Sequence, residues 1–124
     1  MEETTHLSHG HKVDMPELLS RVDNDRELLR DLLMIFKEDF PRHLEELRSA
    51  VTRQDLKAAK VVSHTLKGVL SNLAVTKAAA SAALLEQLAG EAAAPPLARA
   101  LAEFEREVDG LLQEMESFLA EVQS

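Results

Sequence analysis

The sequence predicts an all-α fold, an antiparallel up-down-up-down four-helix bundle with a short additional N-terminal helix. The composition is 45% hydrophobic but only 3% aromatic, it is dominated by alanine and leucine, and glycine and proline number four each. Alanine and leucine are strong helix formers, and no stretch shows the alternating Val, Ile and Tyr that a sheet favours. Four longer stretches are typical of amphipathic helices, and short loops between such helices favour an antiparallel bundle.

The composition also excludes several classes of function. The 124 residues suit one domain, and the net charge of −8 disfavours a nucleic-acid partner. The chain has no cysteine, which excludes disulfides, thiol nucleophiles and cysteine-based metal sites. No apolar run approaches the ~18 residues of a membrane span, and the acidic start Met1-Glu2-Glu3 is unlike a signal peptide. We therefore expect a cytoplasmic protein with no direct membrane contact.

The N-terminal segment is predicted to be a flexible lead-in over residues 1–12, followed by the bundle domain over residues 13–124. The lead-in shows no periodicity. Three histidines lie close together in it, but a mobile tail without preformed geometry is a poor metal site. These histidines are His6, His9 and His11.

The first two helices are predicted on either side of a short polar break. A short helix runs from about Asp14 to Val22, because Asp14 can cap it and Pro16 suits its first turn. Asp23-Asn24-Asp25 then breaks the pattern and caps a long second helix over roughly residues 25–52. Apolar residues recur along this second helix at spacings of three and four. They are Leu28, Leu29, Leu32, Leu33, Phe36, Phe40, Leu44, Leu47 and Val51.

Three further helices complete the predicted bundle. The third runs from about Gln54 to Leu73, and the fourth begins near Thr76 as its cap and ends at Gly90 as its C′ residue. Residues 91–96, which include two consecutive prolines, are predicted to form a loop. The last helix runs from about Leu97 to Val122.

The third helix carries the candidate chemistry, because its one histidine lies opposite its apolar face. On a wheel at about 100° per residue, Leu66 marks the centre of the buried side and His64 lies about 160° away. An imidazole in that position faces solvent or a partner rather than the core. It is a candidate nucleophile.

Four residues share the wheel face of His64. Lys60 and Lys67 favour a neutral, nucleophilic imidazole near pH 7 and could balance a phosphoryl group attached to it. Gly68 costs about 1 kcal/mol relative to alanine inside a helix, and its missing side chain would let another protein reach the ring. Ser71 completes the face one turn further on.

The string Ser63-His64-Thr65-Leu66-Lys67-Gly68, followed by Asn72-Leu73-Ala74-Val75, closely resembles the signature of histidine-containing phosphotransfer (Hpt) domains. The similarity extends over about residues 13–120 and includes the mid-helix Pro41. It departs from the family at Ala74, where glycine is common, and we expect that difference to alter only the helix end.

The resemblance implies a role for each matching position. His64 would accept a phosphoryl group from a receiver-domain aspartyl phosphate and pass it to another receiver aspartate. Lys67 would offset the phosphoryl charge, and Gly68 would give the partner clearance. A polar residue on the following helix often supports the histidine through its other ring nitrogen, and Glu86 fits this position best, with Gln87 as a less certain candidate.

The resemblance also implies partners and cofactors. Response-regulator receiver domains are the expected partners, with a hybrid sensor kinase as a further candidate, and the domain is expected to be a monomer. The Mg²⁺ for transfer would belong to the receiver, so this chain is expected to need no cofactor or metal. We expect a phosphohistidine carrier without autokinase activity rather than a stand-alone enzyme. Val61 and Val75 lie on the His64 side of the wheel and are candidate docking residues.

Two other functions stay open. The chain could be the phosphotransfer domain of a chemotaxis-type histidine kinase, which shares the fold and motif, or a non-catalytic helical adaptor. The dimerisation helix of an ordinary histidine kinase is disfavoured, because there an acidic residue and Thr-Pro typically follow the histidine. A carboxylate-bridged di-iron bundle is disfavoured too, since it needs Glu-x-x-His motifs on two helices and no predicted helix carries one.

Charge is distributed unevenly along the chain. Residues 51–77 hold five basic groups and one acidic group, so the segment carries +4 and the remainder −12. Receiver active sites contain clustered aspartates, so a basic face around His64 would favour electrostatic steering of such a partner.

Overall fold

The structure, a computed structural model, describes residues 13–123, with side chains described as far as residue 120. Five helices and no strand occur in this part of the chain, in agreement with the predicted all-α class. The lead-in over residues 1–12, with its three histidines, lies outside the described residues. The helices are α1 (Met15–Arg21), α2 (Arg26–Thr52), α3 (Leu56–Asn72), α4 (Thr76–Gly90) and α5 (Ala94–Gln123).

The four long helices pack in the predicted antiparallel order. Along α2 and α5, Lys37 pairs with Glu116 and Arg48 pairs with Glu105, so residue numbers rise on one helix as they fall on the other. Helix α3 packs against both α2 and α4. Helix α5 packs against α4 and also against α2, so each long helix has two long neighbours. The bundle therefore has one apolar centre, to which every long helix contributes.

Helix α1 contacts the bundle through hydrogen bonds from Arg21 and through a buried leucine. The Nη1 group of Arg21 donates to the backbone carbonyls of Ser71 and Asn72, at 2.9 and 3.0 Å. Those carbonyls belong to the last turn of α3, and the Ser71 carbonyl also accepts a hydrogen bond from the backbone N–H of Ala74 at 3.1 Å. Arg21 therefore satisfies the end of the helix that carries His64, and Leu18 of α1 is buried in the core.

The core combines large side chains on α2 and α5 with small ones between α3 and α4. Phe40 and Phe104 are fully buried, and their ring centroids lie 6.4 Å apart. Small buried side chains let the backbones of α3 and α4 come close together. They are Ala59 and Ser63 on α3, with Ala78, Ala79, Ala82 and Ala89 on α4.

The predicted bounds of α4, Thr76 and Gly90, match the structure, but the capping roles predicted for these two residues are wrong. Val75, not Thr76, is the N-cap, and it makes no side-chain capping bond. Gly90 is the last residue of the helix and not a left-handed C′ residue; the left-handed position is Ala92, with φ of 55°. An alanine in the sequence does not indicate a left-handed residue, whereas a glycine near a helix end does, and this is why the sequence points to Gly90.

Helix α5 begins earlier than predicted. It starts at Ala94 and includes Pro95 and Pro96 in its first turn, where the missing N–H groups have no intrahelical acceptor in any case. The two prolines therefore start the helix rather than extend the loop.

Candidate functional site

The exposed histidine lies in the middle of α3, which is held by a cap at its start and by packing along one face. The side chain of Asp55 accepts a hydrogen bond from the backbone N–H of Ala58 at 3.1 Å and so fixes the first turn. Leu66 and Leu70 are fully buried, whereas the side chain of His64 is 67% exposed. The wheel predicted this separation of the two faces.

Glu86 of α4 contacts both candidate residues of α3. Its Oε2 lies 3.0 Å from Nδ1 of His64, and its Oε1 lies 3.0 Å from Nζ of Lys67. The antiparallel packing of α3 and α4 places one turn of α4 beside the span from His64 to Lys67. The carboxylate is 21% exposed, so it sits at the seam between the two helices.

The two contacts keep this carboxylate ionised. The hydrogen bond from Lys67 holds the pKa of Glu86 below its usual value, the contact with His64 adds to that effect, and partial burial opposes it. The helix wheel placed only lysines as charged neighbours of His64, and the resemblance implied Glu86 as a support for the ring. The structure has this carboxylate in direct contact with His64, so the surroundings of the ring are not simply positive.

Open space lies beside the histidine at Gly68. A Cβ atom built there would have nothing within 4 Å, so no contact within the described chain requires glycine at this position. Because glycine has no side chain, the helix surface one turn from His64 carries no protruding group at this position. This is the clearance that the sequence predicts for an approaching protein.

Three other predicted site residues have contacts elsewhere. The Lys60 side chain lies along Gly90, near the C-terminal end of α4, where a positive charge complements the helix dipole. Gln87 donates to Glu91 at 3.1 Å, so Glu86 and not Gln87 is the α4 residue that contacts His64. Ser71 offers its backbone carbonyl to Arg21.

The two predicted docking valines differ in exposure. Val61 is 60% exposed and lies one turn before Thr65 on the open side of α3. Val75 is fully buried, so its assignment to a docking surface is wrong. The wheel placed Val75 by continuing α3 past Asn72, but the chain leaves the helix there, and Val75 caps α4 from inside the core.

Sequence reasoning missed an apolar groove between α2 and α3. The groove has a volume of about 240 Å³, and its rim includes Leu32 and Ile35, of which Ile35 is 56% exposed. Leu28, Leu32 and Ile35 share a stripe about 60° wide on α2. The sequence does contain a signal for this groove. The apolar residues of α2 cover a wider face of the helix than packing against the core requires. The groove is lined by Leu32, Ile35, Phe36, Asp39, Phe40, His43, Val69, Asn72 and Leu73.

The described residues contain no group of three or more His, Cys, Asp or Glu side chains placed to hold a metal ion. Over the same part of the chain, no helix has the length and apolar character needed to cross a membrane.

Comparison with known proteins gives a family match and a structural match. Residues 31–123 match the family described as Hpt domain. The fold is similar to the crystal structure of histidine-containing phosphotransfer protein B (HptB) from Pseudomonas aeruginosa PAO1, with a TM-score of 0.82 and 22% identity. That alignment covers 89% of this chain and 96% of the other. No curated protein matches the chain.

Proposed function

The chain belongs to the Hpt domain family, whose members carry out histidine phosphotransfer in phosphorelay signalling, and on this premise we propose that His64 is its phosphoacceptor. The supporting observation is that this imidazole is exposed, with Nδ1 against Glu86 and Nε2 left for a partner. Nε2 attacks the phosphorus of a receiver aspartyl phosphate, the bond from phosphorus to the aspartate oxygen breaks, and the carboxylate leaves. The reverse steps pass the group to a second receiver.

Lys67 and Gly68 act with His64 in this proposal. Lys67 is one turn from the histidine, and its ammonium group can offset the charge of an attached phosphoryl group. In the unphosphorylated chain this ammonium group is bound to Glu86, and because it has three N–H donors it can bind phosphoryl oxygens as well. Gly68 keeps the approach to Nε2 open.

We also propose that the receiver supplies the Mg²⁺ and the acidic pocket for the reaction. Phosphoryl transfer needs little covalent chemistry from the protein beyond positioning and charge stabilisation. His64 provides the nucleophile, and Lys67 provides one positive charge. A metal ion bound by clustered receiver aspartates would provide the remaining positive charge.

The receiver would cover the groove between α2 and α3 when it docks on His64. Asn72 lies one turn beyond Gly68 on the same side of α3, and it lines the groove. An interface of standard size buries about 800 Å² per partner, which extends well beyond the histidine. Ile35 and Leu32 on the groove rim and Val61 beside the histidine would then contact the receiver.

The proposal is tested by replacing the histidine. A phosphorylated receiver mixed with the wild-type chain should yield phosphohistidine at residue 64, detected by ³¹P NMR or by acid-labile label, and His64→Gln should abolish the product. His9→Gln is the matched control, because it makes the same change in the predicted lead-in, outside the bundle domain. Equal phosphorylation of the His64→Gln variant would refute the assignment, and receiver binding without transfer to the wild type would indicate an adaptor.

A further inference from the structure

Arg21 of α1 is not among the residues that line the groove between α2 and α3, but it binds the turn that forms one wall of that groove. We infer that Arg21 is a positioning residue for receiver docking, because it holds the outer side of the last turn of α3 in the geometry that a receiver contacts. Arg21 acts through this turn and not on the reacting atoms. This role rests on the proposed function, in which receivers dock over the groove.

The α3 wall of the groove consists of the end of that helix. Val69, Asn72 and Leu73 line the groove from α3, and all three lie in the last helical turn or at its C-cap. The other wall belongs to α2 and includes Ile35. A displacement of the last turn of α3 therefore changes the shape of the groove even where α2 stays in place.

Two charge-assisted hydrogen bonds join Arg21 to this turn. Its Nη1 donates to the carbonyl oxygens of Ser71 and Asn72 at 2.9 and 3.0 Å. Its Nε donates to the carboxylate of Glu17, also on α1, at 3.0 Å. Hydrogen bonds from a charged donor are stronger than neutral ones, and the bond to Glu17 fixes the direction in which the planar guanidinium group points.

Helix α3 has no cation of its own at this end. Its last turn contains no basic residue, so a positive charge that complements the negative end of the helix dipole has to come from another element. Ala74, two residues beyond the helix, has φ of 59°, which is a strained conformation for an L-residue. Arg21 therefore supplies a positive charge at a helix end that is followed by a strained turn.

Packing and Arg21 hold opposite sides of the last turn of α3. Leu70 and Leu73 are buried and fix its inner side. Ser71 and Asn72 are exposed, so burial does not fix the outer side, which carries part of the groove wall. The bonds from Arg21 reach the turn on this outer side, and their loss should loosen it locally.

The phosphoacceptor is held by other contacts. His64 lies two turns before the end of α3, its neighbour Leu66 is fully buried, and Glu86 of α4 contacts the ring. Removal of Arg21 should therefore weaken receiver docking and leave the reactivity of the ring as it is. A general loss of stability would not produce this split.

The first test compares a receiver with a phosphoryl donor that needs no docking surface. In Arg21→Gln, the dissociation constant for one purified receiver, measured by calorimetry, should rise about three- to tenfold, because affinity falls with the fraction of molecules whose turn keeps the docking geometry. Phosphorylation of His64 by phosphoramidate, a small donor, should keep its wild-type rate. An unchanged dissociation constant would overturn the inference, and so would a parallel loss of both activities.

Arg21→Lys keeps the positive charge and loses the planar fork of donors, and it serves as a second variant if Arg21→Gln does not fold. Its dissociation constant should lie between those of the wild type and Arg21→Gln. Receiver binding as tight as that of the wild type in both variants, or weaker binding by the lysine variant than by the glutamine variant, would contradict the role of Arg21.

Hydrogen exchange shows where the structure loosens. The backbone N–H of Ala74 donates to the Ser71 carbonyl at 3.1 Å, the same oxygen that Arg21 binds. In Arg21→Gln this N–H, followed by NMR, should exchange about tenfold faster, whereas amides in the turn around His64 should keep their wild-type rates. Faster exchange spread evenly over all helices would indicate global destabilisation and would refute a local positioning role.

Arg106→Gln is the matched control for these measurements. Arg106 is exposed on α5, where it pairs with Glu103, and no described residue of α5 lines the groove. The same change of charge should leave receiver affinity and the exchange of the Ala74 amide as in the wild type, and an equal effect would lead us to reject the inference. If His64→Gln still accepted phosphoryl groups, the proposed function would fail, while the exchange result would stand.

Discussion

At His64 the two ring nitrogens have different environments, and helix periodicity by itself predicts only the exposed one. The exposure of the ring follows from its position on the wheel, opposite Leu66. The contact between Nδ1 and Glu86 depends on how α4 is rotated about its own axis. Packing of small alanines sets that rotation, and spacing within the resemblance favoured Glu86 over Gln87.

Ser63, the neighbour of the histidine, gives a prediction on stability. Its side chain is fully buried, and its hydroxyl has no hydrogen-bond partner among residues 13–123. A buried hydroxyl without a partner is unfavourable, so Ser63→Ala should raise the free energy of unfolding by about 1 kcal/mol. Urea unfolding followed by circular dichroism measures the change.

Ser49→Ala is the control for that experiment. Its hydroxyl accepts a hydrogen bond from Nε of Arg53 at 3.2 Å at the half-exposed end of α2, so its removal should change stability by less than about 0.5 kcal/mol. A loss of stability in Ser63→Ala would show that this hydroxyl is satisfied after all.

The helices follow from the sequence, and their ends do so only in part. The sequence predicts Asp14 and Asp25 as N-caps, and the third cap, Asp55, lies one residue from the predicted start of its helix. These starts are predictable because an aspartate side chain can accept a hydrogen bond from a backbone N–H of the first turn.

The C-terminal ends of the helices were harder to predict. All four turns between helices close in the same way, with a non-glycine residue at positive φ and the next N–H bonded five residues back. The residues at positive φ that precede these donors are Asp23, Gln54, Ala74 and Ala92, and the N–H donors are Asn24, Asp55, Val75 and Ala93. The first turn differs in that its donor, Asn24, also has a positive φ, of 62°.

This geometry predicts a stabilising substitution that reverses the usual preference for alanine. Ala92 is exposed and has φ of 55°, a conformation that costs an L-residue roughly 1–2 kcal/mol and costs glycine almost nothing. After the larger entropy of glycine in the unfolded chain is subtracted, Ala92→Gly should stabilise the protein by about 0.5–1 kcal/mol. Thermal or urea unfolding gives the value.

Ala80→Gly makes the same chemical change with the opposite expected sign. Ala80 is exposed in the middle of α4, where glycine costs about 1 kcal/mol. If both variants lost stability equally, the positive φ at Ala92 would not be a source of strain.

On the scale of the whole molecule, the sequence predicted the bundle correctly because every long helix carries a clear apolar period. It predicted the surface less well. Two of the five basic groups in residues 51–77 pair with acids outside that segment, so the basic face is weaker than the count of +4 suggests. The pairs are Lys67 with Glu86 and Lys77 with Glu107. We therefore assign docking more to apolar contact than to charge.

That assignment predicts the effect of one substitution on receiver binding. Ile35 is 56% exposed on the groove rim, and Ile35→Lys would place an ammonium group in the proposed apolar contact. The dissociation constant for a receiver, measured by calorimetry or fluorescence, should rise at least about fivefold, the usual effect of truncating an interface residue that contributes to binding.

Leu84→Lys is the control for this effect. Leu84 is 46% exposed on α4, about 160° around that helix from Glu86, and so faces away from the proposed docking side. Receiver affinity should be unchanged in this variant. Equal weakening by both substitutions would remove the groove from the docking surface.

The single outward nitrogen of His64 has a consequence for the kinetics of a relay. Donor and acceptor receivers both have to reach Nε2 from the same side, so they compete for one place and no ternary complex forms. The chain must release its donor before it meets its acceptor. Transfer then follows ping-pong kinetics, and an excess of unphosphorylated donor receiver acts as an inhibitor that draws the phosphoryl group back.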